Sequence, residues 1–324
     1  MREITMAQAL NEALFHCMEE DERVFVLGEG VVTGTFGITK GLVNRFGRER
    51  VINTPLSEAG FTGMGVGAAA SGMRPVVEIM MMDFIAVPMD MIANQAAKMH
   101  YISGGQICCP IVFRVAAGGG SGRGAGALHS QNLSAWFMHV PGIKVVIPST
   151  PYDAKGLLIS SIHDPNPVLF VEFRLTYADK GPVPEAPYEI PLGEADIKRE
   201  GEDVTLVASG RMVPIALQAA EALAQKGIDA EVVDLRCLVP LDEETIIESV
   251  RKTGRLVTID ESYERAGAGS EVTAVVMRKM SSLKAPVLTI ACPNAPVPVS
   301  PFLEKLYYPN AATVATRIEK MMGG

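Results

Sequence analysis

The stretch from residue 51 to 78 combines a strand pattern, a carboxylate and a helix built almost entirely from small residues. Its apolar start predicts a strand, and Thr54-Pro55 predicts a turn. A helical run of small residues follows, with Glu58 in its first turn and Gly60 to Ser71 after that residue. Glycine costs about 1 kcal/mol per helix position relative to alanine. The four glycines of this helix therefore predict close packing against another helix or a ligand, which would offset that cost.

The carboxylate of Glu58 has two interpretations at this stage. A carboxylate in the first turn of a helix complements the positive end of the helix dipole, and many do nothing more. A carboxylate at a strand-to-helix junction can also serve a binding or catalytic site. Both interpretations stay open on the residues alone.

Short apolar runs alternate with helical patterns along the whole chain, which predicts an α/β fold with mostly parallel sheets covered by helices on both faces. The predicted strands are residues 24–27, 51–53, 75–80, 110–115, 143–147, 167–173, 204–208, 230–233, 256–259 and 287–291. The predicted helices are 6–20, 60–71, 85–101, 152–162, 213–226, 242–250, 268–280 and 311–322. The first of these helices begins with a capping box formed by Thr5 and Gln8.

The alternation stops between Arg174 and Leu192, where four prolines occur without periodicity. We therefore predict a first domain over residues 1–180, a linker over 181–195 and a second α/β domain over 196–324.

Charge and hydropathy exclude several classes of protein. The net charge is −8 and the charges are dispersed, which argues against a nucleic-acid or anionic membrane surface. No window of 18 residues is apolar throughout, so no membrane span is expected. The N-terminus lacks a basic segment followed by an apolar run, which favours a cytoplasmic location. The five cysteines show no disulfide framework and no zinc spacing.

Two further polar residues lie where chemistry can occur. Glu29 lies in the Gly28-Glu29-Gly30 turn after the predicted strand 24–27, and the ends of such strands line ligand crevices in open α/β sheets, although an exposed loop glutamate is the alternative. His129 follows the glycine-dense stretch 116–128, which has the spacing of neither a P-loop nor a dinucleotide fingerprint. We interpret 116–128 as an active-site loop that positions His129 for proton transfer, with an ordinary surface loop as the alternative.

Five segments, taken in order, resemble the β subunit of thiamine-diphosphate-dependent 2-oxo acid dehydrogenase components. They are TPLSEAGFTGMGVGAAASGMRPVVEIMMMDF, NQAAKMHYISGG, ALHSQNLSAWFMHVPGIKVVIPSTPYDAKGLLISSI, VVDLRCLVPLD and TIDES. The resemblance is strongest to the pyruvate and acetoin dehydrogenase branches and spans essentially all 324 residues. It implies a transketolase-type pyrimidine-binding domain followed by a smaller transketolase C-terminal-type α/β domain.

The resemblance also implies roles for individual residues. Glu58 matches the glutamate that hydrogen-bonds the aminopyrimidine of the cofactor and favours the imino tautomer, whose nitrogen then removes the proton from the thiazolium carbon. His129 matches a histidine near the substrate and the incoming lipoyl group. The remaining matches are cofactor contacts, namely Glu29, Leu56, Met80 and Phe84.

Other implications concern metals and partners. The family's Gly-Asp-Gly and asparagine motif for diphosphate and Mg²⁺ is absent from this sequence, so the resemblance implies that an α subunit supplies it, in an assembly of two α and two β chains. The lipoyl group belongs to a partner acyltransferase. A potassium ion is a further expectation, held near residues that match Ile111, Ser161, Ile162, Asp164 and Asn166.

Three other functions remain as alternatives. The chain could be a branched-chain 2-oxo acid dehydrogenase β subunit, a transketolase-like C-terminal half that acts on sugar phosphates, or an assembly subunit without catalysis. A sugar-phosphate site requires basic side chains, and only Arg114 and Arg123 lie near the candidate residues in sequence.

Overall fold

The computed structural model describes residues 1–119 and 125–323, and it divides the chain into two compact units. Unit 1 comprises Met1–Ala117 and Trp136–Leu192, and unit 2 comprises Gly118–Ala135 and Gly193–Gly324. The α/β class predicted from the alternating pattern is confirmed in both units.

Unit 1 contains eight strands and most of the shorter helices. Its strands are β1 Arg2–Thr5, β2 Val24–Gly28, β3 Val51–Asn53, β4 Arg74–Ile79, β5 Val112–Ala117, β6 Lys144–Val146, β7 Val168–Phe173 and β8 Lys180–Val183. Its α-helices are α1 Met6–Glu20, α2 Leu42–Phe46, α3 Glu58–Ala70, α4 Ala97–Ile102, α5 Ala135–Met138, which begins on the last residue of the unit 2 segment, and α6 Pro151–His163. Shorter helical turns occupy Met82–Ala86, Asp90–Ala96, Gly126–Leu128 (in the unit 2 segment) and Arg174–Thr176.

The main sheet of unit 1 is parallel, with strand order β6-β7-β5-β4-β2-β3. β2 pairs with β3 on one side and β4 on the other, so Gly28 lies opposite both Asn53 and Glu78. β1 and β8 form a separate antiparallel pair. Helix α1 begins with the predicted capping box of Thr5 and Gln8 and packs against α6.

Unit 2 is built around a second, smaller sheet with strand order β14-β13-β10-β11-β9. All its pairs are parallel except that of β9 with β11. The strands of unit 2 as a whole are β9 Asp196–Arg199, β10 Val204–Ala208, β11 Ala230–Asp234, β12 Cys237–Val239, β13 Leu256–Tyr263 and β14 Leu288–Cys292. The helices are α7 Met212–Ala224, α8 Glu243–Thr253, α9 Ala268–Lys279, α10 Pro301–Tyr307 and α11 Ala311–Met322. Its core joins α7 and α11 to the sheet.

The structure differs from the predicted domain limits in two places. Part of the predicted linker 181–195 belongs to unit 1, because β8 pairs with β1 and the buried Ile190 hydrogen-bonds Ser160. The segment Gly118–Ala135, predicted within the first domain, belongs to unit 2. Both differences depend on contacts between residues far apart in sequence, which a local pattern does not reveal.

The predicted helix 85–101 is also different in the structure. Met82–Ala86 forms a 3-10 turn, Asp90–Ala96 has π-helical bonding, and regular α-helix begins only at Ala97. Pro88 explains the interruption, because its nitrogen has no hydrogen to donate and its ring crowds the preceding turn.

Helix α3 lies unusually close to the sheet because Gly65 has no side chain. A Cβ atom at Gly65 would lie 2.6 Å from Val77 Cγ2 and 3.2 Å from Ile111 Cδ1. Gly67, in the same helix, is exposed and has open space around its Cβ position. Gly65 and Gly67 therefore differ in why glycine is present. Packing within unit 1 requires glycine at position 65, and it does not require glycine at position 67.

We predict opposite stability effects for the same substitution at these two positions. Gly65→Ala should destabilise unit 1 by about 1–3 kcal/mol because it overpacks the contact with β4. Gly67→Ala should stabilise it by about 0.4–1 kcal/mol, since alanine restricts the unfolded chain and meets no obstacle in the helix. Urea unfolding of both variants measures the difference, and a midpoint change of the same sign in both would contradict this packing account.

Candidate active site

Three candidate residues follow the carboxyl ends of three neighbouring parallel strands. Glu29 comes directly after β2, Met80 directly after β4, and Glu58 five residues after the end of β3. Because parallel strands end at the same edge of a sheet, these side chains belong to one crevice of unit 1. The sheet order β4-β2-β3 places Glu29 on the central strand of the three.

The backbone at the end of β2 requires glycine. Gly28 has φ +146°, and a Cβ atom there would lie 2.4 Å from the carbonyl oxygen of Glu78 on β4. The chain can therefore leave the sheet here only if this residue has no side chain, because a side chain would overlap β4. On the side of β3, the backbone hydrogen bonding continues past the strand, because Thr54 N donates to Gly28 O at 3.0 Å.

Glu29 and Glu58 interact electrostatically. Burial raises the pKa of Glu29 above its usual range, and the negative charge of Glu58 raises that pKa further. The Oε1 atom of Glu29 is buried and has no hydrogen-bond partner among the described residues. The same is true of Thr54 Oγ1, at the end of the next strand. Buried polar atoms normally have partners, so this crevice suits a ligand that brings polar groups of its own.

The apolar candidates differ in how they contribute to the crevice. Leu56 is 81% exposed, so its side chain is available for contact with a ligand or another chain. Met80 is half-buried, and its Cε atom lies 3.4 Å from the position that a Cβ at Gly30 would occupy. Phe84 is half-buried in the 3-10 turn that follows β4. Glu58 itself is half-buried in the first turn of α3.

His129 lies in unit 2, whereas the other candidates lie in unit 1. It follows the short helical turn Gly126–Leu128, its side chain is exposed, and its amide donates to Gly126 O at 3.3 Å. Within the predicted loop 116–128, residues 120–124 lie outside the described residues, so the conformation expected there stays a prediction.

Four of the five residues predicted near a potassium ion lie at or just after the end of α6, and Ile111 directly precedes β5. The carbonyl oxygen of Ile162 accepts a hydrogen bond from Arg74 Nη1 at 2.7 Å, and Asp164 pairs with Lys144. The carbonyl oxygen of Ile111 accepts from Val168 N at 2.9 Å.

Two other predicted potassium neighbours also make local bonds. Ser161 Oγ donates to Leu157 O, and Asn166 N donates to Asp164 Oδ1. Arg74 and Lys144 thus already contact oxygen atoms of this set. The potassium site stays a prediction.

A buried charge network in the sheet of unit 1 was not predicted from the sequence. Arg114 is 2% exposed and donates to Glu78 Oε2 and Glu172 Oε1, both at 2.6 Å. Tyr177 Oη donates to Glu172 Oε2 at 2.7 Å. Burial raises the pKa of Glu172, and the charge of Arg114 opposes that rise. The only sequence signal was a charged residue inside each of three apolar strands.

Outside residues 120–124 and 324, no three His, Cys, Asp or Glu side chains cluster so that they could bind a metal ion. Among the described residues, no helix has both the length and the apolar character needed to span a membrane.

Comparisons with known proteins agree with this architecture. Residues 2–180 match the transketolase pyrimidine binding domain, and residues 193–314 match the transketolase C-terminal domain. The fold is similar to the solved structure of a split gene transketolase, an inactive β4 tetramer, with a TM-score of 0.82 over 99% of this chain and 98% of that one, at 24% sequence identity.

Closer relatives are β subunits of multi-subunit enzymes. The chain is 46% identical to acetoin:2,6-dichlorophenolindophenol oxidoreductase subunit beta of Cupriavidus necator, over 100% of this chain and 98% of that protein. It is 48% identical to pyruvate dehydrogenase E1 component subunit beta-1, mitochondrial, of Arabidopsis thaliana, over 95% of this chain and 86% of that protein. The two domains thus define a transketolase-like, thiamine-diphosphate-dependent class of protein. Within it, the chain belongs to the family of pyruvate and acetoin dehydrogenase β subunits.

The raised pKa of Glu29 leads to a prediction about stability and pH. A carboxyl group whose pKa is higher in the folded chain binds protons more tightly when folded, so its contribution to stability decreases as pH rises through that pKa. Glu29→Gln should therefore raise the melting temperature at about pH 7.5 and have a smaller effect at about pH 4.

The control for this experiment is Glu22→Gln, which makes the same change of net charge at an exposed glutamate. The prediction is tested by measuring the melting temperatures of both variants and of the parent chain at the two pH values. An equal shift for Glu29→Gln at both pH values would show that ionisation of Glu29 does not oppose folding.

Proposed function

We propose that this chain is the β subunit of a pyruvate or acetoin dehydrogenase component. The assembly would decarboxylate a 2-oxo acid or cleave acetoin, and it would transfer the two-carbon unit to lipoamide on a partner acyltransferase. The main observation behind this proposal is the pair Glu29 and Glu58, brought to one crevice by neighbouring strand ends in a pyrimidine-binding domain. Family membership supports the same activity.

The crevice fits the aminopyrimidine half of thiamine diphosphate. The buried Glu29 Oε1 has no partner among the described residues, and Glu58 is half-buried beside an exposed Leu56. An amino-substituted ring would supply hydrogen-bond donors to the carboxylates and an apolar face to Leu56, Met80 and Phe84. When bound, this cofactor supplies the carbon nucleophile and the electron sink that 2-oxo acid chemistry requires.

Glu58 has the central chemical role in this proposal. Its carboxylate would accept a hydrogen bond from a ring nitrogen and stabilise the tautomer that acts as the internal base. Glu29 interacts electrostatically with Glu58, and its negative charge would favour protonation of a ring nitrogen that Glu58 holds. His129 would move protons at the substrate or at the lipoyl sulfur, as a group suited to transfer near neutral pH.

We further propose that an α subunit completes the site. The diphosphate end of the cofactor requires Mg²⁺ with oxygen ligands, and the sequence lacks the family motif that provides them. We assign the Mg²⁺ ligands mainly to the α subunit, in an assembly of two α and two β chains. The exposed face of α3, with Gly60, Gly67 and the 46% exposed Met64, suits close contact with another subunit. The potassium ion near Asp164 also remains part of this proposal.

Arg114 counts against the sugar-phosphate alternative. Its guanidinium is buried between Glu78 and Glu172, so it is not available to bind a phosphate group. Arg123, the other basic candidate, lies outside the described residues.

The assay that tests the proposed function uses the chain co-expressed with an α partner. Lipoamide reduction is measured with pyruvate, branched 2-oxo acids and acetoin, and transfer of a two-carbon unit to an aldose phosphate is measured with sugar phosphates. We expect turnover with pyruvate or acetoin. Turnover with branched 2-oxo acids or sugar phosphates alone would support one of those alternatives, and no turnover with any substrate would favour an assembly subunit.

A substitution at Glu58 tests its role directly. Glu58→Gln keeps the shape of the side chain but removes its charge, so turnover should fall on the order of 10²-fold or more while the fold is kept. The hydrogen-exchange rate at the thiazolium carbon should fall as well. A rate near that of the parent assembly would remove Glu58 from this role.

A further inference from the structure

The segment Gly118–Ala135, which carries His129, is attached to unit 2 by polar contacts at both ends. Near its start, the amide of Gly119 interacts electrostatically with the carboxylate of Glu261 on β13 and favours its ionised form. Near its end, the carbonyl oxygen of Ser130 accepts from Tyr308 Oη at 3.1 Å. These two attachment points are eleven residues apart. Gly119 precedes His129 by ten residues, and Ser130 directly follows it.

The two ends of the segment also meet each other. Gly118 N donates to Gln131 O at 3.2 Å, and Gln131 Oε1 accepts from Tyr263 Oη at 3.2 Å. A Cβ atom at Gly119 would lie 2.4 Å from Tyr308 Oη and 2.6 Å from Ser130 Cβ. Gly119, Ser130 and the hydroxyl of Tyr308 are therefore packed together, and there is no space for a side chain at Gly119.

A buried ion pair supports these attachments. Arg211 Nε pairs with Glu261 Oε2, and the side chains are 15% and 1% exposed. The guanidinium carbon of Arg211 lies 5.2 Å from the centre of the Tyr308 ring, within range of a cation–π interaction. Burial raises the pKa of Glu261, while Arg211 and the Gly119 amide favour its ionised form. One arginine thus contacts both residues that bind the segment.

We propose that Glu261, Arg211 and Tyr308 form a positioning cluster that fixes the backbone at Gly119 and at Ser130, and that the bond to Ser130, which directly follows His129, sets the orientation of the imidazole during turnover. None of the three is proposed to touch the substrate. The inference rests on the proposed function for the role of His129, but the attachment of the segment itself does not depend on that role.

A matched pair of tyrosines tests the attachment. Tyr308→Phe removes the hydroxyl that binds Ser130. Tyr307→Phe removes the neighbouring hydroxyl, which donates to Ala295 O at 2.6 Å and makes no hydrogen bond to the described residues of the segment. Both tyrosines are 8% exposed, so the two variants are matched in burial and in chemistry.

Hydrogen exchange of the assembled protein gives the first readout. Tyr308→Phe should speed exchange of the Gly118 and Gly119 amides by about 3- to 10-fold, the effect of losing one ordinary hydrogen bond. Tyr307→Phe should leave those amides unchanged. Equal exchange at these amides in both variants would overturn the proposed cluster, whatever the enzyme's substrate is.

The second readout is a double-mutant cycle with His129. Tyr308→Phe should lower lipoamide turnover by about 3- to 10-fold in the parent chain and by less than about 2-fold in a His129→Ala background, because the two changes act through one group. Equal losses in both backgrounds would overturn positioning through His129. If the proposed function fails, the parent assembly itself has no lipoamide turnover, so the two failures are distinguishable.

Discussion

The absence of a side chain at Gly65 determines how α3 lies on the sheet, and the candidate site depends on that position. A Cβ atom there would overlap Val77 and press on Ile111, so only glycine allows the helix this close to β4. Glu58 is in the first turn of the same helix, near the end of β3. Its approach to Glu29 therefore follows from backbone packing, and the effect of the Glu58 charge on the pKa of Glu29 follows from that approach.

Local sequence patterns predicted much of this arrangement. Apolar runs identified the central strands, the capping box identified the start of α1, and small residues identified α3 with Glu58 in its first turn. The placement of Glu29 at a strand end was also predictable, because a buried strand followed by Gly-Glu-Gly is a local signal. The chemistry assigned to these carboxylates came from resemblance, since periodicity alone left Glu58 equally suited to a dipole contact.

Other features depended on partners that are distant in sequence. Ser130 and Tyr308 are 178 residues apart, and β8 pairs with β1 across most of unit 1. No local pattern encodes such contacts, which is why Gly118–Ala135 and much of the predicted linker 181–195 were assigned differently. Pro88 had the opposite effect, because a local residue interrupted a helix that the apolar periodicity favoured.

The proposed function requires that this chain supplies one half of a cofactor site and that an α subunit supplies the other. Titration calorimetry of the purified chain with thiamine diphosphate and Mg²⁺ tests it directly. One half-site provides only part of the affinity, so we expect no saturable binding at micromolar concentration for the chain alone and stoichiometric binding once the α subunit is added. Stoichiometric micromolar binding by the isolated chain would contradict this requirement, because a complete site would then lie within this one chain.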